Sequence, residues 1–229
     1  MASDNNTMDA DLGGDSILIS NLQLAHPVTY PNVWGIEKEQ PALISVALST
    51  RNGFASAADK DALDNSTIHY GELAKRIRRI GSDNEDGEIL DHRTAMTLTH
   101  RICANMAQKD DNSFILARSE VALDFTKACM FADSAGILTT QTYDNDGNLK
   151  ALSTKLGIKG IQVPTLIGVN GYERTGKQPV VASITIFIPT NTSIHGSVAI
   201  QSREFDLFRL ERRIIEVRHN GECCSQPAH

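Results

Sequence analysis

Alternation of apolar and polar positions predicts four strands in the first two thirds of the chain. SILISNLQL, which follows residue 15, and PALISVALST at 41–50 place strong β-formers at alternate positions. SFILARSEVALDF and KACMFADSAGILTTQTY, between residues 113 and 143, predict two longer strands. Because the connections within each pair of strands are short or modest, we expect antiparallel pairing.

Two helices are predicted between these pairs of strands. The first covers roughly 69–80, begins after the capping groups Asn65, Ser66 and Thr67, and has an apolar stripe made of Tyr70, Leu73, Ala74 and Ile77. The second runs roughly from Asp91 to Gln108, with Met96, Leu98, Ile102 and Met106 expected to point inward. The resulting order, ββααββ by residue 143, predicts an α+β fold.

The rest of the sequence repeats landmarks of the first part. Gln40-Pro41 aligns with Gln178-Pro179 at an offset of 138, and YGELAKRI at 70–77 aligns with LFRLERRI at 207–214 at an offset of 137. Landmarks that agree within one residue indicate an internal duplication. Since the second helix and last two strands of the first unit have no counterpart, the second unit is expected to be incomplete and to lean on the first unit or on another chain. The predicted organisation is a disordered leader at 1–15, a first domain at 16–143, a linker at 144–156, a partial second repeat at 157–218 and a flexible tail at 219–229.

Composition and charge narrow the function classes. The chain has 229 residues, of which 41% are hydrophobic and 22% charged, as in an ordinary globular protein. Its net charge of −6 argues against a nucleic-acid partner, and the basic KRIRR run at 75–79 is predicted to be the solvated face of a helix. No apolar run approaches the roughly 20 residues that span a bilayer, and the N-terminus is acidic. We therefore expect no membrane partner and a cytoplasmic location.

No metal site is predicted. Cys103, Cys129, Cys223 and Cys224 lack the paired spacing typical of zinc ligands. His69, His92 and His100 fall on different stretches without ligand spacing.

The second unit contains the most specific motif, IGVNGYERTGKQPV, with Gly168, Glu173, Arg174 and Gln178. This pattern resembles the dihydroneopterin aldolase family, in which an isoleucine-glycine-valine strand end precedes a glutamate-arginine pair and a glutamine that opens the next strand. That family also has a tyrosine at the head of the first helix and a lysine late in the domain. Tyr70 in STIHYGELAKRI and Lys127 in DFTKACMFADSAGI match these two positions. The resemblance covers roughly 16–143 and 157–217, and the tandem arrangement is similar to the paired halves of fungal multifunctional folate enzymes.

The resemblance implies a tunnelling fold, in which ββααββ units from several subunits form a barrel with active sites at subunit boundaries. The implied reaction is retro-aldol cleavage of a reduced pterin, 7,8-dihydroneopterin, to 6-hydroxymethyl-7,8-dihydropterin and glycolaldehyde, often with epimerisation. It implies no metal and no other cofactor, because the C=N unit of the pterin accepts the electrons. By position, Lys127 with a water removes the hydroxyl proton, Tyr70 takes part in reprotonation and Glu173 binds the substrate.

Departures from the family pattern leave alternatives open. Trp34-Gly35 face the positions of Tyr172-Glu173, Met96 stands where the family has a pterin-binding glutamate, and Leu207 stands where the first unit has Tyr70. The site is therefore either a composite of the two units across an interface, or absent from a non-catalytic paralogue or truncated isoform that pairs with an active homologue. Zinc-dependent cyclohydrolases or pterin synthases of the same fold are a weaker alternative, because no three-ligand set is found.

Each site residue also has a purely structural interpretation. Lys127 fits a charge at a sheet edge, Tyr70 fits a core tyrosine, and Glu173-Arg174 fits a surface pair beside a turn.

Overall fold

The computed structural model describes residues 14–62, 64–82, 90–188 and 207–220, with side chains in the last range described for 210–216. The strands are β1 (Ser16–Gln23), β2 (Val28–Pro31), β3 (Glu37–Gln40), β4 (Leu43–Thr50), β5 (Leu116–Phe125), β6 (Ser134–Tyr143), β7 (Leu149–Thr165) and β8 (Gln178–Ile188). The helices are α1 (Ala55–Lys60), α2 (Tyr70–Arg78), α3 (His92–Ala107) and α4 (Leu207–Asn220). Most of the predicted leader, at 1–13, and the tail from 221 onward, with Cys223 and Cys224, lie outside the described residues.

Six strands form one sheet in the order β1-β4-β5-β6-β7-β8, and every neighbouring pair is antiparallel. The predicted ββααββ order is confirmed by β1, β4, α2, α3, β5 and β6. The chain is thus an α+β protein with an antiparallel sheet.

The second unit continues the sheet of the first. Only the DNDGN turn at 144–148 connects β6 to β7, and β7 pairs with β6 from Leu149 to Lys159. The linker predicted at 144–156 is therefore wrong from residue 149 onward, because these residues form a strand. The apolar positions of this segment, Leu152, Leu156 and Ile158, do alternate, but Thr154 interrupts them and the adjacent DNDGN turn signal favours a linker.

The two faces of the sheet differ in what covers them. Ile44, Leu123, Ile137 and Leu156, which are aligned across neighbouring strands, are buried on the face against which α3 packs. The opposite face, called here the open face, includes Ala122, Asp124, Gly136, Lys155 and Lys159.

Helix α2 forms close to its predicted range, but its capping group is His69 rather than the predicted Asn65, Ser66 or Thr67. His69 caps it, since its Nδ1 accepts hydrogen bonds from the backbone N–H groups of Gly71 and Glu72 at 3.1 and 3.3 Å. Leu73 and Ile77 are fully buried. The basic side chains of the KRIRR run are exposed, which confirms the solvated face.

Helix α3 forms where predicted and Met96 is buried as expected, but the rest of its inward face is different. Leu98, Ile102 and Met106 are only partly buried. The buried residues follow a helical repeat one position away: His92, Ala95, Met96, Thr99, His100, Cys103 and Ala107. Polar residues can be buried here when they find partners: Thr99 Oγ1 donates to the Ala95 carbonyl in the helix, and strands supply the partners of His100.

The hairpin of β2 and β3 and helix α1 lie in segments for which no regular structure is predicted. The hairpin docks through Tyr30, whose ring stacks on Phe125 with a centroid separation of 4.2 Å and meets His92 edge-on. Its second strand, EKEQ, has no apolar residue, so sequence patterning misses it.

Candidate active-site region

Lys127 lies in the loop of residues 126–133, called here the β5–β6 loop because it joins those strands. Its side chain is exposed. The far half of the loop is tied to β7: the Phe131 carbonyl accepts a hydrogen bond from Gln162 N at 2.8 Å, and Asp133 N donates to the Lys159 carbonyl at 2.9 Å. The end of the loop that precedes β6 is thus anchored to β7.

Helix α4 supplies a further anchor through Glu211. Its carboxylate is 1% exposed and accepts hydrogen bonds from Met130 N at 3.1 Å and Phe131 N at 2.8 Å. Burial, together with the nearby Glu211 carboxylate, raises the pKa of the Cys129 thiol to about 12, so this cysteine is a neutral packing group. The sequence analysis does not single out Glu211. The repeat alignment nevertheless contains a signal for it, since Glu211 aligns with Ala74, a member of the apolar stripe of the first predicted helix.

Tyr70 lies at the first turn of α2 and is 70% exposed, so the interpretation as a core tyrosine is wrong. The stripe begins one turn later because Tyr70 stands at the helix terminus, beyond the edge of the core.

Tyr70 and Lys127 do not meet within one chain. Lys109 Nζ donates to the Thr67 carbonyl at 2.7 Å, and Ala107 O accepts from Ile115 N, which places the start of α2 near the start of β5. Lys127 follows the other end of β5. Ten strand residues separate the two ends, a length of about 30 Å.

Glu173 closes the loop in which it lies, a 3₁₀ helix at Gly171–Thr175. Its Oε2 accepts hydrogen bonds from Val169 N and Asn170 N at 2.7 and 3.0 Å, and its Oε1 accepts one from Asn170 Nδ2 at 3.1 Å. The hydrogen bond from the Asn170 backbone is the main cause of the lowered pKa of this carboxyl. Arg174 Nε donates to the Gly168 carbonyl at 2.7 Å. The glutamate-arginine motif therefore has a structural role here, while substrate binding by Glu173 stays a prediction.

The residues that depart from the family pattern are either buried in the core or exposed on the β2–β3 hairpin. Met96 is 2% exposed and belongs to the core, so this position offers nothing to a ligand. Trp34 is 69% exposed in the turn of the β2–β3 hairpin, and Glu37 and Glu39 are exposed on β3.

A shallow cavity of about 260 Å³ lies on the open face. Its charged walls are Lys159, which pairs with Asp124 at 2.9 Å, and Lys155, whose Nζ lies 5.0 Å from the Phe187 ring centroid. Gly136 and Gly157 form part of its lining.

The described part of the chain has neither a cluster of metal ligands nor a membrane-spanning helix. Within 14–62, 64–82, 90–188 and 207–220, no group of three His, Cys, Asp or Glu side chains could hold a metal ion. No helix in the same ranges is long and apolar enough to cross a membrane.

The chain resembles two solved structures in part. One is a Vibrio cholerae O1 biovar El Tor protein assigned as a dihydroneopterin aldolase (FolB), with 16% identity, a TM-score of 0.41, and a match that covers 57% of this chain and 99% of that one. The other is a uricase from Bacillus fastidious, with 11% identity, a TM-score of 0.42, and a match that covers 73% of this chain and 60% of that one. No protein family matches the sequence, and no curated protein does. These likenesses by themselves assign no activity to the chain.

Proposed function

We propose that the protein is a dihydroneopterin aldolase-like enzyme of the tunnelling fold, whose site forms between two copies of the chain. Its substrate is 7,8-dihydroneopterin, and its products are 6-hydroxymethyl-7,8-dihydropterin and glycolaldehyde. The proposal rests on the motif resemblance around Tyr70, Lys127 and Glu173 and on the antiparallel ββααββ arrangement.

The reaction assigns a separate task to each side chain. Lys127, acting with a water, accepts the proton of the hydroxyl on the second carbon of the side chain, which becomes the carbonyl of glycolaldehyde. The carbon–carbon bond then breaks, glycolaldehyde leaves with a new carbonyl group, and the electron pair enters the pterin C=N unit. Tyr70 takes part in protonating the remaining carbon, which gives the hydroxymethyl product and restores the ring electrons.

The observation that carries the proposal is the exposure of both residues at opposite ends of β5. Tyr70 is 70% exposed and Lys127 is also exposed. A site within one chain cannot use both, because about 30 Å of strand separates them. This arrangement supports a site between copies, in which Tyr70 of one copy lies beside Lys127 of another.

The direct test is incubation of the full chain with 7,8-dihydroneopterin, followed by chromatography with fluorescence detection of the pterin product. Lys127→Ala should lower kcat at least about a hundredfold, the usual contribution of a general base. Lys150→Ala, which removes another exposed lysine at the start of β7, should leave kcat unchanged. Equal turnover by Lys127→Ala and wild type would refute the assigned role.

A second candidate function is supported by the contacts of Glu173. Because its carboxylate oxygens accept hydrogen bonds from its own loop, no free carboxylate faces a substrate there. The chain would then be a non-catalytic barrel-forming partner of an active homologue. Absence of product from folded wild type, together with co-migration with a homologous active aldolase in size-exclusion chromatography, would favour this function.

A further inference from the structure

A buried carboxylate links the partial second unit to the β5–β6 loop. Glu211 is the most deeply buried ionisable side chain of the described part of α4, and its helical neighbours Leu210, Ile214 and Ile215 pack against the core. Burial of a carboxylate is unfavourable unless donors replace its water. The donors here are the N–H groups of two adjacent residues, Met130 and Phe131.

The geometry of these bonds makes Glu211 a clamp rather than a surface contact. Each carboxylate oxygen accepts one backbone N–H, so both oxygens and both amides are fixed together. Met130 lies three residues from Lys127 in the same loop. The other side of Phe131 is fixed as well, because its carbonyl accepts from Gln162 N.

We propose that Glu211 is a positioning residue that fixes the β5–β6 loop and thereby places the Lys127 side chain. The inference rests on the role proposed above for Lys127. Helix α4 has no tyrosine equivalent to Tyr70, because the repeat alignment puts Leu207 at that position. The proposal assigns a different role to this helix, which is to hold the β5–β6 loop. The second unit thus supports the lysine of the first.

Hydrogen exchange of the Met130 and Phe131 amides tests the clamp directly. Glu211→Gln keeps the side-chain size but turns an amide NH₂ toward one backbone N–H, so one of the two bonds is lost. Exchange at these amides should become about ten- to a hundredfold faster, whereas exchange in α3 should not change. Glu216→Gln is the matched control, because Glu216 is exposed on the same helix and only faces Arg213 at 3.9 Å. Unchanged exchange at both amides in Glu211→Gln would overturn the proposal.

Kinetics tests whether the clamp positions Lys127. Glu211→Gln should lower kcat about tenfold and leave KM within about twofold, because misplacement of a catalytic group affects the chemical step more than substrate binding. Faster exchange with unchanged kcat would make Glu211 a purely structural residue and would overturn the positioning role while leaving the proposed function intact.

Two other outcomes, an inactive wild type and a variant that does not fold, also bear on the proposal. If wild type forms no product, the proposed function fails and the positioning role fails with it, whatever the exchange rates are. If Glu211→Gln does not fold, Glu211→Asp replaces it: the carboxylate is kept but is one methylene shorter, and an intermediate exchange rate and kcat would support the clamp. Wild-type values for Glu211→Asp, in both measurements, would contradict it.

Discussion

His100 is an ionisable side chain in the core of the protein. Its Nδ1 lies 2.7 Å from Ser119 Oγ, and its Nε2 lies 2.8 Å from Thr139 Oγ1. Ser119 Oγ also bonds to the hydroxyl of Tyr143 at 3.0 Å. Both ring nitrogens are thus satisfied in the neutral form, which explains how a histidine can occupy the buried face of α3.

This environment predicts that stability falls in mild acid. Burial lowers the pKa of His100 from 6.5 to about 4, so between these values the unfolded chain binds a proton that the folded chain does not. Stability should be full above pH 6.5 and should fall as the pH drops toward 4, by about 3 kcal/mol in total from this residue. The pKa of His92, lowered chiefly by burial, adds to the loss in the same direction.

Urea unfolding at pH 7.5 and pH 4.5 measures this loss. His100→Asn keeps a polar side chain without a titration, so it should reduce the difference in unfolding free energy between the two pH values. A variant with the same pH dependence as wild type would exclude His100 as the source.

Gly168 provides a second prediction for a single residue. Its φ is +147°, and a Cβ at this position would lie 2.4 Å from Glu173 Cβ. Gly168→Ala should therefore destabilise the protein by about 1–3 kcal/mol. The control is Gly171→Ala in the same loop, where no atom lies within 4 Å of an added Cβ and the backbone φ is not positive. Urea unfolding of the two variants should separate them, and equal stabilities would argue against the closed loop.

Helix α2 depends on a narrow buried face. Leu73 is fully buried, whereas Lys75, two residues later, is exposed. Leu73→Ala should lower the free energy of unfolding by about 2–5 kcal/mol, because it removes apolar contacts and leaves a cavity. Lys75→Ala should change it by less than about 0.5 kcal/mol. Chemical denaturation compares the two, and similar losses would mean that α2 does not pack on the sheet.

The elements that the sequence predicts are those with a clear apolar period. α2 and β4 have regular buried positions, and both form within a few residues of their predicted ends. The β2–β3 hairpin was missed because its stability comes from tertiary packing of Tyr30 rather than from alternation. The inward face of α3 was misassigned because its polar core residue, His100, is satisfied only by strands distant in sequence.

The site was predictable only in part for the same reason. Tyr70 and Lys127 match motif positions, but their separation by the length of β5 follows from topology that a motif does not contain. The contacts of Glu173 are local and could be read as a capping box, since Asn170 and Glu173 have the required spacing. Glu211 depends on a contact with a loop 80 residues earlier, which no local pattern indicates.

Strand β8 forms one edge of the six-stranded sheet. Among the described residues, β8 pairs only with β7, and its sequence QPVVASITIFI contains no charged residue. A long edge strand without charges favours pairing with another strand. This feature supports the proposed association of copies of the chain.

Mixing two inactive variants tests the shared site. If Tyr70 of one copy acts with Lys127 of another, Tyr70→Phe and Lys127→Ala oligomers are each impaired at every site. Random mixed oligomers, made by unfolding and refolding an equimolar mixture, contain about a quarter of sites in which both residues are intact. Activity should therefore rise to about a quarter of the wild-type value, measured by the fluorescent pterin product. Refolding each variant alone is the control, and activity in the mixture no greater than the mean of these controls would place both residues in one chain or outside the site.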